Sequence, residues 1–138
     1  MHSWQIRELT PADYAAAMAL WARCEGVRGD ETADEFARIL ARNPGCSSAV
    51  QAEGRLLGAV LCCHDGRRGY LYHLGVDPEL RRQGIGQALV ERSLGKLREQ
   101  QIARCSIHLI VGNQIGERFW KQIGWRFRDD LQVMAIDL

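Results

Sequence analysis

The chain has 138 residues, of which 46% are hydrophobic and 25% are charged, and its formal net charge at pH 7 is +1. This length suits one domain with a single core, so residues 1–138 are expected to form a single domain. The near-neutral charge excludes a global basic field for nucleic acid, and no apolar run is long enough to span a membrane. Because no signal sequence is recognisable at its start, the protein is expected to be cytoplasmic.

The sequence contains five cysteines, an odd number without paired spacing, which predicts neither a disulfide framework nor a zinc site. No metal is therefore expected. Cys63 beside His64 could form a thiol nucleophile. Burial as a small apolar side chain is the commoner role of a free cysteine, and we favour it here.

The first half of the chain predicts a strand, two helices and then three antiparallel strands. Thr10, Pro11 and Asp13 form a helix-start signal, with a capping residue, a proline at the first helical position and an acid in the first turn. Polar turns that contain glycine separate the later strands. The predicted elements are a strand at 4–9, a helix from Tyr14 with Ala17, Met18 and Trp21 on one stripe, a loop at 25–31, a helix at 32–41, and strands at 47–52, 55–63 and 70–76.

The second half of the chain predicts a helix at 87–100, a strand at 104–111, a helix at 114–123 and a closing strand at 131–136. The whole order is β-α-α-β-β-β-α-β-α-β. This order predicts the α/β (α+β) class, with a mixed, mostly antiparallel sheet of six to seven strands and helices on both faces. The closing strand could also pair across a homodimer.

The hexapeptide RRQGIG, from Arg81 to Gly86, is a poor start for the helix that follows it. Cations are unfavourable at the positive end of a helix dipole, and a glycine inside a helix costs about 1 kcal/mol relative to alanine. The stretch becomes favourable if an anion binds there, because glycines let peptide N–H groups approach phosphate oxygens and the arginines pair with the same anion. A phosphate-binding turn is therefore predicted.

Two other phosphate-binding motifs do not fit this stretch. The dinucleotide fingerprint G-x-G-x-x-G needs a glycine where Leu89 stands, and it needs a parallel βαβ context. The P-loop pattern G-x-x-x-x-G-K-[ST] matches nothing in the sequence. An ordinary helix start with surface arginines remains the structural alternative.

The segment LGVDPELRRQGIGQALV resembles motif A of the GNAT acetyltransferases, whose signature R/Q-x-x-G-x-G/A lies at a strand-to-helix turn. Arg81, Gly84 and Gly86 match this signature. The run from Asn113 to Trp125 is similar to the family's second signature, N-x5-[FY]-Y-x3-GF. The order of elements agrees as well, and the chain is similar to the small YpeA-like bacterial members.

The resemblance implies an acyltransferase that uses acetyl-CoA. The strands that end at Val76 and start near Cys105 would splay apart, with pantetheine between them and pyrophosphate on the amides of 83–87. The Val76 N–H would face the thioester carbonyl, and the Asn113 side chain would meet the pantetheine arm. The implied cofactor-binding residues are Leu74, Val76, Arg81, Arg82, Gln83, Gly84, Ile85, Gly86, Gln87, Asn113, Phe119 and Trp120.

The implied reaction is direct transfer of acetyl from the CoA sulfur to a primary amine of a small molecule or a protein. Relatives with a glutamate base carry it at the position of Tyr70, and a tyrosine is a poor base near neutral pH. The predicted catalytic set is Tyr70, Tyr72 and the N–H of Val76. Strand alternation places these three residues and Leu74 on one face, and His73 on the other face beneath a helix.

The sequence departs from the family at Trp120, where many members have a tyrosine that acts as general acid. An indole N–H donates a hydrogen bond but does not usefully give up its proton. The thiolate would leave without a side-chain acid, or with water or Tyr72 in that role. The departure also supports an alternative function, a non-catalytic acyl-CoA-binding sensor or regulatory module. A nucleotide-binding oxidoreductase fragment is a third interpretation.

Acceptor recognition is predicted at the loop 25–31 and the turn 64–69. Glu25, Asp30 and Glu31 would suit a cationic amine, whereas Arg67 and its neighbour Arg68 would suit a carboxylate. Solvated surface is the alternative for both groups. No nucleic acid or membrane partner is expected.

Overall fold

The computed structural model describes residues 3–138, and this part of the chain forms two compact units that divide after His108. The first unit, which ends at His108, contains a β-sheet and three α-helices. The second unit, residues 109–138, contains α4 (Gln114–Gln122). None of the helices in the described residues is long and apolar enough to cross a membrane.

The first unit has its elements in the predicted order. They are β1 (Gln5–Glu8), α1 (Tyr14–Ala22), α2 (Ala33–Arg42), β2 (Ser48–Ala52), β3 (Arg55–His64), β4 (Gly69–Val76), α3 (Ile85–Glu99) and β5 (Cys105–Ile107), with short 3-10 turns at Pro11–Asp13 and Pro78–Leu80. α3 begins slightly earlier than predicted, directly after Gly84. β5 is much shorter than the predicted strand at 104–111.

Five strands form one sheet in the order β1-β2-β3-β4-β5. Neighbouring strands are antiparallel from β1 to β4, and β4 and β5 are parallel. The predicted α/β (α+β) class with a mixed, mostly antiparallel sheet is therefore confirmed. The predicted number of six to seven strands is wrong for residues 3–138, because residues 131–136 do not form a strand.

The segment at 131–136 has the apolar alternation of a strand but lacks a neighbouring strand in the described structure. Its apolar side chains are largely exposed, with values of 61% for Leu131, 73% for Val133, 96% for Met134 and 84% for Ile136. A strand is stable only when its N–H and C=O groups find partners, and a period of two in the sequence does not supply them. The prediction failed because it used the side-chain pattern alone.

Helices pack on both faces of the sheet, as predicted. On one face, Trp21 of α1 is fully buried, and a Cβ at Gly75 would lie 2.6 Å from its indole ring. On the other face, a Cβ at Gly58 would lie 2.9 Å from both Ile85 and Leu89 of α3. Burial of a large apolar side chain contributes about 1.5–3 kcal/mol. The glycines of the central strands therefore let both helices pack closely.

Polar side chains fix the starts of α1 and α2. The N–H of Thr32 donates to the Glu35 carboxylate at 2.8 Å, and the N–H of Glu35 donates to the Thr32 hydroxyl at 3.1 Å, which forms a capping box. Before α1, the N–H of Thr10 donates to the Asp13 carboxylate at 2.8 Å, and Arg7 pairs with the same carboxylate at 2.8 Å. Burial opposes ionisation of Asp13, but the hydrogen bonds from Arg7 and Thr10 outweigh it and lower the Asp13 pKa.

Candidate active site

The turn between β4 and α3 begins at a fully buried carboxylate, that of Asp77. Its peptide N–H donates to Leu57 of β3 at 2.8 Å, and its side chain accepts from the N–H of Glu79 at 3.0 Å. Arg23 and Arg55 each place a guanidinium nitrogen 3.4 Å from the same carboxylate. Asp77 thus holds the turn to the sheet. Sequence reasoning missed this role, although an aspartate before Pro78 is a helix-start signal.

The same turn presents free backbone donors where α3 begins. Gly84 has the left-handed φ of 80° and no side chain to cap the helix, and the N–H of Ala88 is the first in the helix to find an acceptor, the Gly84 carbonyl at 3.0 Å. The N–H groups of residues 84–87 donate to no other described residue. A Cβ at Gly84 would meet nothing within 4 Å. The turn is therefore an open set of donors of the kind that binds anions.

Two cations lie beside these donors. Arg81 and Arg82 are exposed, and neither forms a salt bridge within residues 3–138. Gln83 beside them is also exposed. Their charge adds to the positive end of the α3 dipole, so this region would attract a phosphate or diphosphate. The predicted residues of the phosphate-binding turn thus lie together.

β4 and β5 diverge after a short contact. They pair over Gly69–Leu71 of β4, and residues 72–76 have no partner on this side in the described structure. On the other side, β4 remains paired with β3 up to Val76. Since the next residue, Asp77, directs its N–H to β3, the Val76 pair is a non-hydrogen-bonded one and its N–H faces the free edge. The free edge offers backbone groups to an extended ligand.

A β-bulge at His73 changes the predicted faces of β4. The β3–β4 register shifts between Ala59 and Leu61, and His73 has a φ of 58°. The His73 ring lies 5.1 Å from Trp21, on the α1 face where Tyr72 also packs. The prediction that His73 and Tyr72 point to opposite faces is therefore wrong, although His73 does pack against a helix.

The bulge also moves the two residues that follow it in the predicted set. Gly75 faces Trp21, so the alternation places Leu74 on the α3 face. Val76 lies opposite Gly58, which faces α3, and directly paired residues share a face. The predicted common face for Tyr70, Tyr72, Leu74 and Val76 is thus wrong beyond Tyr72. One extra residue in β4 reverses the face of the sheet to which the following side chains point.

Three rings gather where β4 and β5 diverge. Tyr70 and Tyr72 stack with their centroids 6.2 Å apart, and His108 lies edge-on at 6.3 Å from Tyr70 and 5.9 Å from Tyr72. Burial raises the pKa of Tyr72 to about 12. The Tyr72 phenol therefore stays protonated near neutral pH and can donate a hydrogen bond, but it is a poor base. His108 was not predicted for this cluster.

The loop between α1 and α2 reaches β4 through Glu31. His73 Nε2 lies 2.8 Å from Glu31 Oε2, and the Tyr14 hydroxyl donates to the Glu31 carbonyl at 2.7 Å. One ligand atom from each of Asp30, Glu31 and His73 lies within 4.8 Å of the others. Two of the predicted acceptor residues thus meet an imidazole that was assigned no role in the site. In the sequence, the feature that could have indicated this imidazole is the histidine that stands three residues before Val76.

The other predicted acceptor residues lie apart from this group. Glu25 and Arg67 are exposed, and within the described residues their side chains form no hydrogen bond or salt bridge. The Arg67 N–H donates to Asp65 at 2.8 Å within the turn between β3 and β4. Both side chains are therefore solvated in the described structure, and their role in acceptor binding stays a prediction.

In the second unit, the residues of the second signature serve local packing. Asn113 accepts a hydrogen bond from the Gly116 N–H at 2.9 Å and so caps α4. Trp120 is only 8% exposed, and its ring packs edge-on against Phe119 at 5.2 Å and Trp125 at 4.7 Å. The indole is held by aromatic neighbours, which agrees with a packing role and not with that of an acid.

The thiol-nucleophile interpretation has no support from the geometry. Burial raises the pKa of Cys63, so its thiol stays protonated. His64 is engaged elsewhere, since its Nδ1 accepts from the Gly66 N–H at 3.0 Å and its Nε2 lies 2.7 Å from the Gln100 side-chain oxygen. Burial likewise raises the pKa of Cys105, to about 12. These cysteines behave as small buried side chains.

Comparison with known proteins gives one consistent family. The model of the acetyltransferase (GNAT) family matches residues 13–125. An acetyltransferase of Pectobacterium atrosepticum is 36% identical over 110 residues, which cover 78% of this chain and 75% of that protein.

Solved structures share the fold. The PaiA N-acetyltransferase from Thermoplasma acidophilum, in complex with coenzyme A, has a TM-score of 0.81 at 17% identity and covers 93% of this chain and 92% of its own. The ribosomal-protein-alanine N-acetyltransferase from Brucella melitensis biovar Abortus 2308 has a TM-score of 0.71 at 22% identity and covers 98% of this chain and all 100% of its own.

Since the family match spans most of the sequence, the protein belongs to the acetyltransferase (GNAT) family. It is an acetyltransferase, as the resemblance of its two motifs implied.

Proposed function

We propose that the protein transfers an acetyl group from acetyl-CoA to a primary amine of a small molecule or a protein by direct attack. The observation that carries this proposal is the turn at Gly84, which lies at the end of the free edge of β4. There the N–H groups of residues 84–87 and the side chains of Arg81 and Arg82 have no partner in the described structure. The enzyme class favours this reaction over a non-catalytic sensor. A nicotinamide oxidoreductase has no support in the family match.

The CoA diphosphate is proposed to bind the peptide nitrogens of residues 83–87, with Arg81 and Arg82 as counter-charges. The structural relative PaiA, in complex with coenzyme A, supports CoA as the ligand. Pantetheine would then run along the free edge of β4, past Leu74 and Val76. The roles proposed for Asn113, Phe119 and Trp120 in holding the CoA arm rest on family resemblance alone.

The Val76 N–H is proposed to donate to the thioester oxygen as negative charge develops on it. Loss of one such donor typically costs about 2.7–4 kcal/mol of transition-state stabilisation. Alignment of amine and thioester supplies several kcal/mol more. With its pKa raised to about 12, Tyr72 would act as a hydrogen-bond donor and not as an efficient acid. The CoA thiolate is a tolerable leaving group without one.

The first test is calorimetric binding of acetyl-CoA to the wild-type protein and to Gly84→Glu. The glutamate would place bulk and negative charge in the turn, so we expect affinity to fall at least about 100-fold, which is roughly 2.7 kcal/mol. Gly54→Glu is the matched control, because Gly54 has a φ of +75° and its Cβ would also meet nothing within 4 Å. Equal affinities of the two variants would refute the phosphate site.

The second test is CoA release, followed by chromatography, with a panel of amines. A peptide that begins with alanine, a peptide that contains lysine and a polyamine cover the two proposed acceptor classes. We expect acetylation of at least one of them, with the product identified by its mass. Binding of acetyl-CoA without release of CoA to any amine would contradict the transfer reaction and favour the sensor.

A further inference from the structure

The contact between Glu31 and His73 joins the α1–α2 loop to the bulge of β4. His73 Nε2 and Glu31 Oε2 are 2.8 Å apart, and the side chains are 16% and 17% exposed. A carboxylate only accepts hydrogen bonds, so the contact requires a proton on Nε2. In a neutral ring the other nitrogen, Nδ1, then carries a lone pair, and it accepts no hydrogen bond from another described residue.

The second oxygen of Glu31 has no partner. Oε1 is buried from solvent and makes no hydrogen bond within residues 3–138. A buried acceptor without a donor is unfavourable, and it is worse for a charged one. An incoming group with several N–H donors and a positive charge would satisfy it. Asp30, whose carboxylate lies in the same group of ligand atoms, adds a further negative charge.

The position of this pair relates it to the free edge of β4. The bulge turns the His73 ring to the α1 face, next to Tyr72, while the strand edge that follows remains unpaired. His73 precedes Val76 by three residues in the same strand. The titratable groups around the imidazole are Glu31 and Asp30 on the loop, Tyr72 on its own strand, and Cys24 just after α1, which packs against Gly75.

We infer that Glu31 and His73 are the pair that receives the acceptor's ammonium group and removes its proton. The inference rests on the proposed function, and it identifies the general base that this reaction needs. The Glu31 carboxylate binds the ammonium, and one N–H proton passes to His73 Nδ1 through a chain of water molecules, because Nδ1 lies on the side of the ring away from Glu31. The imidazolium formed is stabilised by the carboxylate it already contacts.

The proton balance is complete with these groups. The neutral amine attacks the thioester carbon, the N–C bond forms and the C–S bond breaks, so the electron pair leaves with the CoA sulfur. The second amine proton ends on the thiolate, directly or through solvent, and His73 releases its proton to solvent. The net products are the N-acetyl amine, CoA and one proton.

The test uses two amines of similar shape, ethylamine and 2,2,2-trifluoroethylamine. The first is protonated at pH 7, whereas the second is already neutral and needs no base before it attacks. With H73Q we expect the acetylation rate for ethylamine to fall at least about tenfold relative to wild type, and the rate for trifluoroethylamine to change less than about threefold. H64Q is the matched control, since His64 is a histidine outside the site.

The pH profile supplies a readout that a structural role would not change. In H73Q, only the unprotonated fraction of ethylamine reacts, so its rate should rise about tenfold per pH unit from pH 7 to pH 9. The wild-type rate should rise less steeply over this range. E31Q should raise KM for ethylamine and leave KM for trifluoroethylamine nearly unchanged, with Glu91→Gln on exposed α3 surface as its control.

The outcomes separate the two proposals. A wild-type protein that binds no acetyl-CoA, or that acetylates neither these two amines nor any amine of the panel above, refutes the proposed function and this inference with it. If the wild type acetylates both amines but H73Q lowers both rates equally, or lowers neither, only the inference fails. All assays contain EDTA. If zinc added in excess of the EDTA raises the wild-type rate, the inference is overturned, because Asp30, Glu31 and His73 would then hold a metal ion.

Discussion

The turn at 77–84 and the bulge at His73 lie on either side of the same short stretch of β4, yet they arise in different ways. The turn is made by local sequence: Asp77 caps the segment that follows it, and Gly84 takes the left-handed conformation that α3 needs at its start. The bulge is made by pairing with β3, where one residue of β3 lies opposite two of β4. No signal in the β4 sequence alone indicates it.

The two regions also differ in what they offer a ligand. The turn presents backbone N–H groups and exposed cations, so it suits an anion whatever the rest of the ligand looks like. The bulge presents a half-buried imidazole and a carboxylate, which suits a cation of restricted size. A cosubstrate shared by a whole family fits the first kind of site, and a particular acceptor fits the second. We therefore expect mutations at the turn and mutations at the bulge to have different measurable effects.

The largest expected effect on stability is at the bulge side of β4, with Gly75→Val. A Cβ at this position would lie 2.6 Å from the Trp21 ring and 3.1 Å from the Cys24 sulfur, and Trp21 is fully buried. Overpacking of this kind should lower the free energy of unfolding by about 3 kcal/mol, measured by urea denaturation.

A glycine of α3 provides the control for that experiment. A Cβ at Gly95 would meet nothing within 4 Å, so Gly95→Ala should raise the free energy of unfolding by up to about 1 kcal/mol through helix propensity. An unfolding free energy of Gly75→Val that is equal to or above that of wild type would show that the α1 face of β4 is not tightly packed.

The sequence predicted well those features that depend on neighbouring residues. The starts of α1 and α2 carry their capping residues within a few positions, and the structure has both helices there. The turn at Gly84 was found because arginine and glycine are unfavourable at a helix start unless something else uses them. Such conflicts are visible in the sequence itself.

The features that failed depend on partners that are distant in the sequence. The face of His73 is set by the register with β3, and the role of Glu31 appears only when its loop folds against β4. The closing strand failed for a similar reason, because the segment 131–136 lacks a strand to pair with in the described structure. Sequence reasoning predicted an acceptor role for Glu31, which stays a prediction, but it did not predict the contact between Glu31 and the imidazole of His73.

An intermediate effect is expected at the turn, with Asp77→Ala. This change leaves the N–H of Glu79 without its acceptor and removes the buried charge between Arg23 and Arg55. We expect a loss of about 2 kcal/mol in the free energy of unfolding, since an unsatisfied buried donor costs about 1–3 kcal/mol. Acetyl-CoA affinity should fall as well, because the turn is no longer held to the sheet.

Asp77→Asn separates the two contributions of this side chain. The amide keeps an oxygen for the Glu79 N–H, but it loses the charge and replaces the oxygen that faces Arg23 and Arg55 with an NH2 group. Because Arg23 and Arg55 are 49% and 65% exposed, solvent screens their attraction and the asparagine variant should be much less destabilised than the alanine variant. Equal losses for the two variants in calorimetric unfolding would show that charge, and not the hydrogen bond, holds the turn.

The smallest effect is expected away from both regions, at Asp13. Burial opposes the charge of this carboxylate, but the Arg7 and Thr10 hydrogen bonds lower its pKa below the ordinary value of 3.8. A lowered pKa in the fold stabilises the protein above that ordinary value, and the contribution disappears as pH falls through the folded-state pKa. Asp13→Asn should therefore lower the free energy of unfolding by about 0.5–1 kcal/mol at pH 7, and the difference from wild type should shrink below about pH 4.

In an Arg7→Gln background the same substitution should cost clearly less at pH 7. A cost that stays constant from pH 7 to pH 3 would mean that shape, and not charge, explains the contribution of Asp13.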